Sequence, residues 1–492
     1  MAARPHRIVP ERTRSISPAR TIIDHTAPRP STRPAEPWTV EESERNQRLN
    51  IAEGSFNAVS VGLTAAFIVP FALLLGASST LIALLTTVPN LVGAFAQLWV
   101  QRVRDLFDTR RQHMFVFSFI QALTWLPLLF IHSLPHPQWW LLAIVTINAT
   151  GGFLIGPVWN SFTADIVPER ERGRFFGLRN TATGVCAFVA TVIAGGILNW
   201  LKPTNPYLGF ILLFLLAFGF RLSGALLFLR MGKPPEATPS SGSPAPHELL
   251  LHAERTPFGR FTLFVTLFYV AVYLASPFFP MYQLSVLGWS YARFTLFACI
   301  SAITSFLTMF IWGKFVDRLG ARVVLLTAGL TIPLVPLLWA ATTDLRVLAL
   351  AEVLSGASWA AFGLSVSTYL FDATDRSTRT RRVAEYTLLI QLASFIGAIL
   401  GGLVLSAYAK TAQAYLNVFF LSAALRFIVV IAFIGVVIEQ RLVEVPIKGR
   451  LYRRFVAIRP SHGVEYETAM ENRIVAQQRR EDKNARIARR RH

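Results

Sequence analysis

Four charged side chains, Glu53, Arg221, Glu352 and Arg426, interrupt long apolar stretches of this sequence. An ion without a partner at the centre of a bilayer is disfavoured by about 2.5–3.5 kcal/mol on insertion scales, so such residues mark either an ion path or a scaffold of buried pairs. Glu352 is the only acid well inside an apolar run, six residues beyond Arg346 and about 9 Å of helix rise from the nearer end. A carboxylic acid in an apolar cavity can take up and release a proton as a solute moves. The alternative is a permanent pair with an arginine of its own half. Glu53 sits at the inner end of the first apolar run, close to Arg48, where an interfacial salt bridge competes with a proton site. Arg221 and Arg426 are related by a shift of 205 positions and lie near mid-run. That symmetry points to a scaffold role, each guanidinium being satisfied by helix-end carbonyls, with a functional role as the alternative.

Asn57, Asn148, Asn160, Tyr269, Tyr273, Trp359, Tyr386 and Gln391 also fall within apolar runs. Groups of this kind hydrogen-bond to or stack on an amphipathic solute. Each equally serves as glue between helices. There is no ring of acids suited to a polycation and no dense basic cluster suited to an organic phosphate. Cys186 and Cys299, the two cysteines, are both in apolar runs, and His132 and His136 share one loop, so no metal site or cofactor is expected. The sequence has no Walker loop, no HExxH helix and no nucleophile elbow, which argues against an enzyme or a self-contained ATP-driven pump.

A charged turn adds a second kind of chemistry. The stretch GKFVDRLGAR, Gly313 to Arg322, has a degenerate copy 212 positions earlier, QRVRDLFDTR, in which Asp105 and Arg110 fall where Asp317 and Arg322 fall later. The same shift superimposes Gly76 on Gly288, and a shift of 206 lays Gly195–Gly196 on Gly401–Gly402. A long repeat embedded in apolar sequence means two similar membrane-spanning halves that can rock about a shared central site. Gly313 and Gly320 let helices approach and the chain reverse. Asp317 can pair with Arg322 or with a neighbouring helix N-terminus. An interfacial ion pair of about 1 kcal/mol biases two states without locking either. The plainer alternative is a purely topological turn.

The elements that must position these residues are transmembrane helices. The chain has 492 residues, 53% of them hydrophobic and only 15% charged, with a net charge of +20. A soluble protein this apolar could not cover its core, so the bilayer is part of its solvent. Runs of about 20 apolar residues fall near 51–75, 80–101, 114–133, 139–162, 181–200, 207–230, 261–283, 294–312, 322–342, 346–370, 385–408 and 415–438. Trp139, Trp140, Trp200 and Trp289 fall at outer ends, as an interfacial aromatic belt requires. The basic residues alternate between loops, and the other set of loops holds only Lys202, Arg293, Arg346 and Lys410. Positive loops stay inside, so both termini are expected to be cytoplasmic in a multi-pass protein of the cell membrane. Charge dealt to every second loop also argues against nucleic acid as a partner.

The expected organisation is a disordered tail over 1–49, a six-helix bundle over 50–231, a Pro- and Ser-rich cytoplasmic linker over 232–260, a second bundle over 261–439 and a basic tail over 440–492. Residues 464–490 could form a polar helix attracted to anionic lipid, the alternative being a solvated tail that reinforces orientation.

These residues resemble the major facilitator superfamily, the stretch GKFVDRLGAR matching its signature between the eighth and ninth helices over a likeness that spans about 51–440. The segment DIVPERERGRFFGLRNT, Asp165 to Thr181, resembles the family's loop between the fourth and fifth helices. The resemblance implies twelve helices in two six-helix halves and an all-α membrane fold. It also implies that Asp317 helps latch the cytoplasmic gate, that the helix bearing Glu352 lines the cavity, and that the helices bearing Arg221 and Arg426 are outer supports. The first copy of the turn departs from the pattern, with Gln101 for Gly313, Leu106 for Arg318 and Asp108 for Gly320. Asn148 stands where proton-coupled drug exporters carry an arginine, and TVIAGG, Thr191 to Gly196, replaces their Gly-Pro-x-x-Gly-Gly; GAILGG, Gly397 to Gly402, comes nearer, with Ala398 in place of proline. The expected function is therefore secondary transport of a small solute by alternating access, proton-coupled and monomeric, with import and export both open. A non-transporting membrane sensor or scaffold is the alternative.

Overall fold

The structure is a computed structural model and describes residues 40–168, 171–232, 257–373, 379–408 and 411–435. Twelve of its helices are long and apolar enough to cross a membrane. They are α1 (Glu41–Leu74), α2 (Ser79–Gln97), α3 (Arg110–Leu129), α4 (Pro137–Ile166), α5 (Arg172–Leu201), α6 (Pro206–Arg230), α7 (Phe258–Val286), α8 (Tyr291–Leu319), α9 (Ala321–Ala341), α10 (Leu345–Leu370), α11 (Arg382–Ala407) and α12 (Ala412–Phe433). The described residues contain no strand.

The repeat read from the sequence is built into local geometry. Gly76 and Gly288 turn the chain with φ of 78° and 63°, a region disfavoured by about 1–2 kcal/mol for other residues. Two residues on, Ser78 and Ser290 cap α2 and α8 by accepting from the backbone N–H groups of Leu81 and Arg293. Asn205 and Thr411 likewise cap α6 and α12. Helix breaks repeat as well. The path of α1 changes after Thr64, ahead of Pro70, and that of α7 after Tyr273, beside Pro277 and Pro280. Prolines 127 and 333 interrupt α3 and α9.

Packing follows the same symmetry. In the first half α1 packs on α5 and α6, α2 on α4, and α3 on α4 and α6; in the second α7 packs on α11 and α12, α8 on α10, and α9 on α10 and α12. The halves meet along two seams, α2 with α11 and α5 with α8. Both seams are tight at the end of the bundle remote from the segment joining the halves, called here the far face. A Cβ added to Gly402 of α11 would meet Ala83 Cβ and Thr80 Cα of α2 at 3.3 Å. One added to Gly195 of α5 would collide with Thr295 of α8. Phe67 and Phe294 add an edge contact with ring centroids 6.2 Å apart, and Lys202 lies 5.4 Å above the Tyr291 ring. At the opposite, linker face the seam glycines Gly173, Gly177 and Gly184 of α5 and Gly313 of α8 have, among the described residues, nothing within 4 Å of the added atom.

Three sequence expectations need correction. Helix structure begins at Val40 and not after residue 49; the polar stretch is held by buried Asn46, whose Oδ1 accepts from Gly232 N at 2.9 Å, and by buried Asn50. Similarly α5 starts nine residues before the apolar run and α8 continues seven beyond it, because helices outlast the apolar stretch that hydropathy detects. Trp289 is not in the aromatic belt: it is 4% exposed, while Trp139, Trp140 and Trp200 are 53%, 49% and 77% exposed. It follows the positive-φ Gly288 in the turn, and its ring packs 4.6 Å from Phe297 and 5.5 Å from Trp339 between centroids. The tail before residue 40, most of the linker and the C-terminal tail lie outside the described residues.

Candidate functional site

Two buried charges of the first half, Glu53 and Arg221, are held in one network. Arg221 of α6 donates from Nη1 to Glu53 Oε1 of α1 at 3.2 Å, from Nη2 to Ser118 Oγ at 2.8 Å, and from Nε and Nη2 to Gln121 Oε1 at 3.1 and 2.6 Å. Both partners of the ion pair are buried. Ser118 and Gln121 lie three residues apart on α3 and so share a face. Gln121 Nε2 in turn donates to Asn148 O at 2.8 Å, and Asn148 Nδ2 donates to Gln121 O at 3.1 Å and Thr124 Oγ1 at 2.7 Å. Asn148 is thus engaged in tying α3 to α4.

Closer to the linker face, Arg179 of α5 reaches past α1 to α4. Its Nε donates to Asn50 Oδ1 at 3.1 Å, and its guanidinium lies 4.2 Å from the centroid of Trp159. Asn50 Nδ2 donates to Thr163 Oγ1 at 3.2 Å. Gly54 leaves the space that Arg179 fills, since an added Cβ would meet Arg179 Nη2 at 2.8 Å.

The expected partner of Glu53 was Arg48. The structure pairs Arg48 with Glu44 at 3.3 Å on the surface and places Glu53 against Arg221, because α1 extends further toward the linker face than its apolar run. Arg426, the repeat mate of Arg221, has no carboxylate partner among the described residues. Its Nη2 donates to Val272 O at 3.2 Å, and its Nε has no partner among those residues. Helix-end carbonyls therefore describe the surroundings of Arg426 and not those of Arg221.

Glu352 is half-buried against Ser301 of α8 and Trp339 of α9 and makes no ion pair among the described residues. The alternative of a permanent arginine partner does not hold. On the second half, Tyr269 stacks with Tyr273 at 6.0 Å and meets the edge of Trp359 at 6.3 Å between centroids. Tyr386 stacks on Phe261 at 6.1 Å. Asn57 and Gln391 are half-buried and Asn160 is exposed.

The charged turn ends in an open arrangement. Gly320 turns the chain with φ of 87° between α8 and α9. Asp317 and Arg318 are exposed, and Asp317 does not pair with Arg322, whose Nη2 instead donates to Ile434 O at the end of α12. In the first half Asp105 is also exposed, while Arg110 pairs with Asp165 and donates to Ser161 Oγ at 2.8 Å. Arg111, one residue later, donates to Leu229 O at 3.2 Å and Met231 O at 2.9 Å, at the end of α6. By contact, Arg111 and not Arg110 is the counterpart of Arg322; Thr109 and Gln112 form a capping box in the first copy where Gly320 makes the turn in the second.

Below the tight far end of the α5–α8 seam, the helices diverge around an apolar groove of about 550 Å³, whose walls include Val185, Phe188 and Thr191 of α5 and Ala302, Phe306 and Met309 of α8. Sequence reasoning passed over Arg179, Asn50, Ser118, Gln121 and Arg111. Ser118 and Gln121 carried a signal, two polar residues three apart in an apolar helix; Arg179 stood within the quoted segment 165–181 without being singled out.

A model described as Major Facilitator Superfamily matches residues 54–306 and 261–460. Among solved structures, a mutant form of the nucleoside transporter NupG is similar over 79% of this chain and 99% of its own, at 14% identity and a TM-score of 0.60. A bacterial homolog of the human lysosomal transporter Spinster, inward-facing and unoccupied, is similar over 82% and 99%, at 16% identity and a TM-score of 0.57. A D-xylose–proton symporter is similar over 78% and 96%, at 11% identity and a TM-score of 0.58. Likeness at these identities carries the fold and nothing finer. No curated protein matches the sequence.

Proposed function

Because the chain belongs to the Major Facilitator Superfamily, we propose that it moves a small solute across the cell membrane as a secondary transporter, by alternating access. The observation that supports this most directly is that both seams are tight at the far face while the linker-face glycines of the α5–α8 seam stand in open space among the described residues. With the basic loops held inside, the linker face and both termini are cytoplasmic, and the arrangement is a state open to the cytoplasm. Exposed Asp317 and Asp105 fit that state, since a latch on the cytoplasmic gate is released while the gate is open. On closure, the end of α8 brings Asp317 toward the N-terminus of α5 at Arg172, where the helix dipole favours an anion by about 0.3–1 kcal/mol.

Paired cysteines test the alternation. In a chain lacking Cys186 and Cys299, Ala83→Cys and Gly402→Cys place their Cβ atoms near 3.3 Å, within reach of a disulfide after a small relaxation. Oxidation is expected to cross-link α2 to α11 and stop solute flux in proteoliposomes, and reduction to restore it. Undiminished flux in the cross-linked protein would rule out alternating access.

Proton coupling is assigned to Glu352 in preference to Glu53. Glu53 has Arg221 as a fixed cationic partner, whereas the neighbours of Glu352 are the neutral groups of Ser301 and Trp339. A carboxyl without a fixed counter-ion can lose and regain its proton as its surroundings change. With a solute found by thermal-shift screening of the purified protein, wild-type flux is expected to follow an imposed pH gradient, and flux through Glu352→Gln is expected to ignore it. Wild-type flux indifferent to collapse of the gradient removes the coupling.

A further inference from the structure

We propose that the transporter binds the anionic group of its solute through Arg179, a specialisation that rests on the transport function proposed above. The network of the first half contains two guanidiniums, Arg179 and Arg221, and a single carboxylate, Glu53. Arg221 takes that carboxylate directly at 3.2 Å. Arg179 feels the same carboxylate at longer range but forms no salt bridge among the described residues; its direct contacts are the amide oxygen of Asn50 and the face of Trp159. The network therefore carries one positive charge more than its members neutralise.

Access and geometry single out the same residue. Arg221 is 4% exposed, while Arg179 is half-exposed between α1 and α4. Nε of Arg179 is occupied by Asn50, and its two Nη groups make no hydrogen bond among the described residues. Such a fork accepts a carboxylate or phosphate in two parallel bonds. The ring of Trp159 on one side and the Asn50 bond on another hold the guanidinium in place, so little freedom is lost on binding. Gly54 keeps its site open. In the second half, Tyr269 and Tyr273 of α7 and Trp359 of α10 form a neutral aromatic cluster. They offer a wall to a flat apolar body. The chemistry selects a small organic anion with an aromatic or similarly flat body.

The test uses four probes that share a ring and differ in charge: phenylacetate, phenyl phosphate, phenylacetamide and phenethylamine. Binding to the full-length purified protein is followed by thermal shift and calorimetry. The two anions are expected to stabilise the wild type, and the amide and amine are not. Arg179→Gln is expected to weaken anion binding at least tenfold, Arg179→Lys to retain part of it, and Gly54→Val, which displaces the guanidinium without removing it, to weaken it as well. Equal stabilisation by neutral or cationic probes, anion binding that survives Arg179→Gln, or no response to either anion overturns the assignment. Each of those results leaves the Ala83–Gly402 cross-link test untouched, so failure of anion recognition is separable from failure of transport.

Discussion

Replacing Arg221 with methionine should destabilise the protein severely, while the same replacement at its repeat mate Arg426 should be neutral or mildly stabilising. Arg221→Met strands the Glu53 carboxylate in a buried site and deprives Ser118 Oγ and Gln121 Oε1 of their donors. Breaking a buried pair from one side is unfavourable by about 3–5 kcal/mol. Arg426 differs in each respect. Among the described residues it is buried without a carboxylate and its Nε lacks a partner, and the carbonyl it touches, Val272 O, also accepts from Ala275 N at 3.2 Å and Ser276 Oγ at 3.0 Å. Methionine in its place removes a poorly satisfied ion and leaves that carbonyl satisfied. Thermal unfolding in detergent reads the contrast. The double variant Glu53→Gln with Arg221→Met should recover much of the loss, because the stranded charge is gone. Equal effects at positions 221 and 426, or no recovery in the double variant, would refute this account of the network.

Bulky side chains at the seam glycines should drive the conformational equilibrium in opposite directions according to which face they occupy. Gly195 and Gly402 are in contact across the two seams at the far face. Leucine at either position wedges that face apart. Gly177 and Gly313 are open at the linker face. Leucine there leaves the present state undisturbed and obstructs its closure. Overpacking a close contact is unfavourable by about 1–3 kcal/mol, which converts to about a 5- to 150-fold change in the ratio of the two states. Alkylation of a single cysteine placed at the far-face end of α2, in proteoliposomes, measures it. Gly402→Leu should speed labelling and Gly177→Leu should slow it relative to the parent. The same direction in both variants would mean that the seams do not gate access.

Where sequence reasoning succeeded, the signal was local. The pairing of Gly76 with Gly288 foretold two turns of the same geometry, and Gly320 a reversal between α8 and α9, because a positive φ is a property of one residue. Where it failed, the deciding partner was distant or the register was one residue off. Arg111 and Arg110 are adjacent arginines, and only the contact of one with the end of α6 distinguishes their roles. Trp289 resembles a belt residue by position along the chain, yet its turn directs it inward onto Trp339.

The sequence by itself determined the solvent, the number of spans and the duplication, since apolar length, alternating basic loops and a repeated charged turn are written along the chain. Only the tertiary structure decided which charges are matched. Glu53 and Arg221 stand 168 positions apart, and nothing in either stretch names the other. The repeat gave Arg221 and Arg426 the same address, but a duplicated backbone does not oblige its two copies to surround a charge alike. In a medium that cannot solvate ions, those surroundings set the fate of each one.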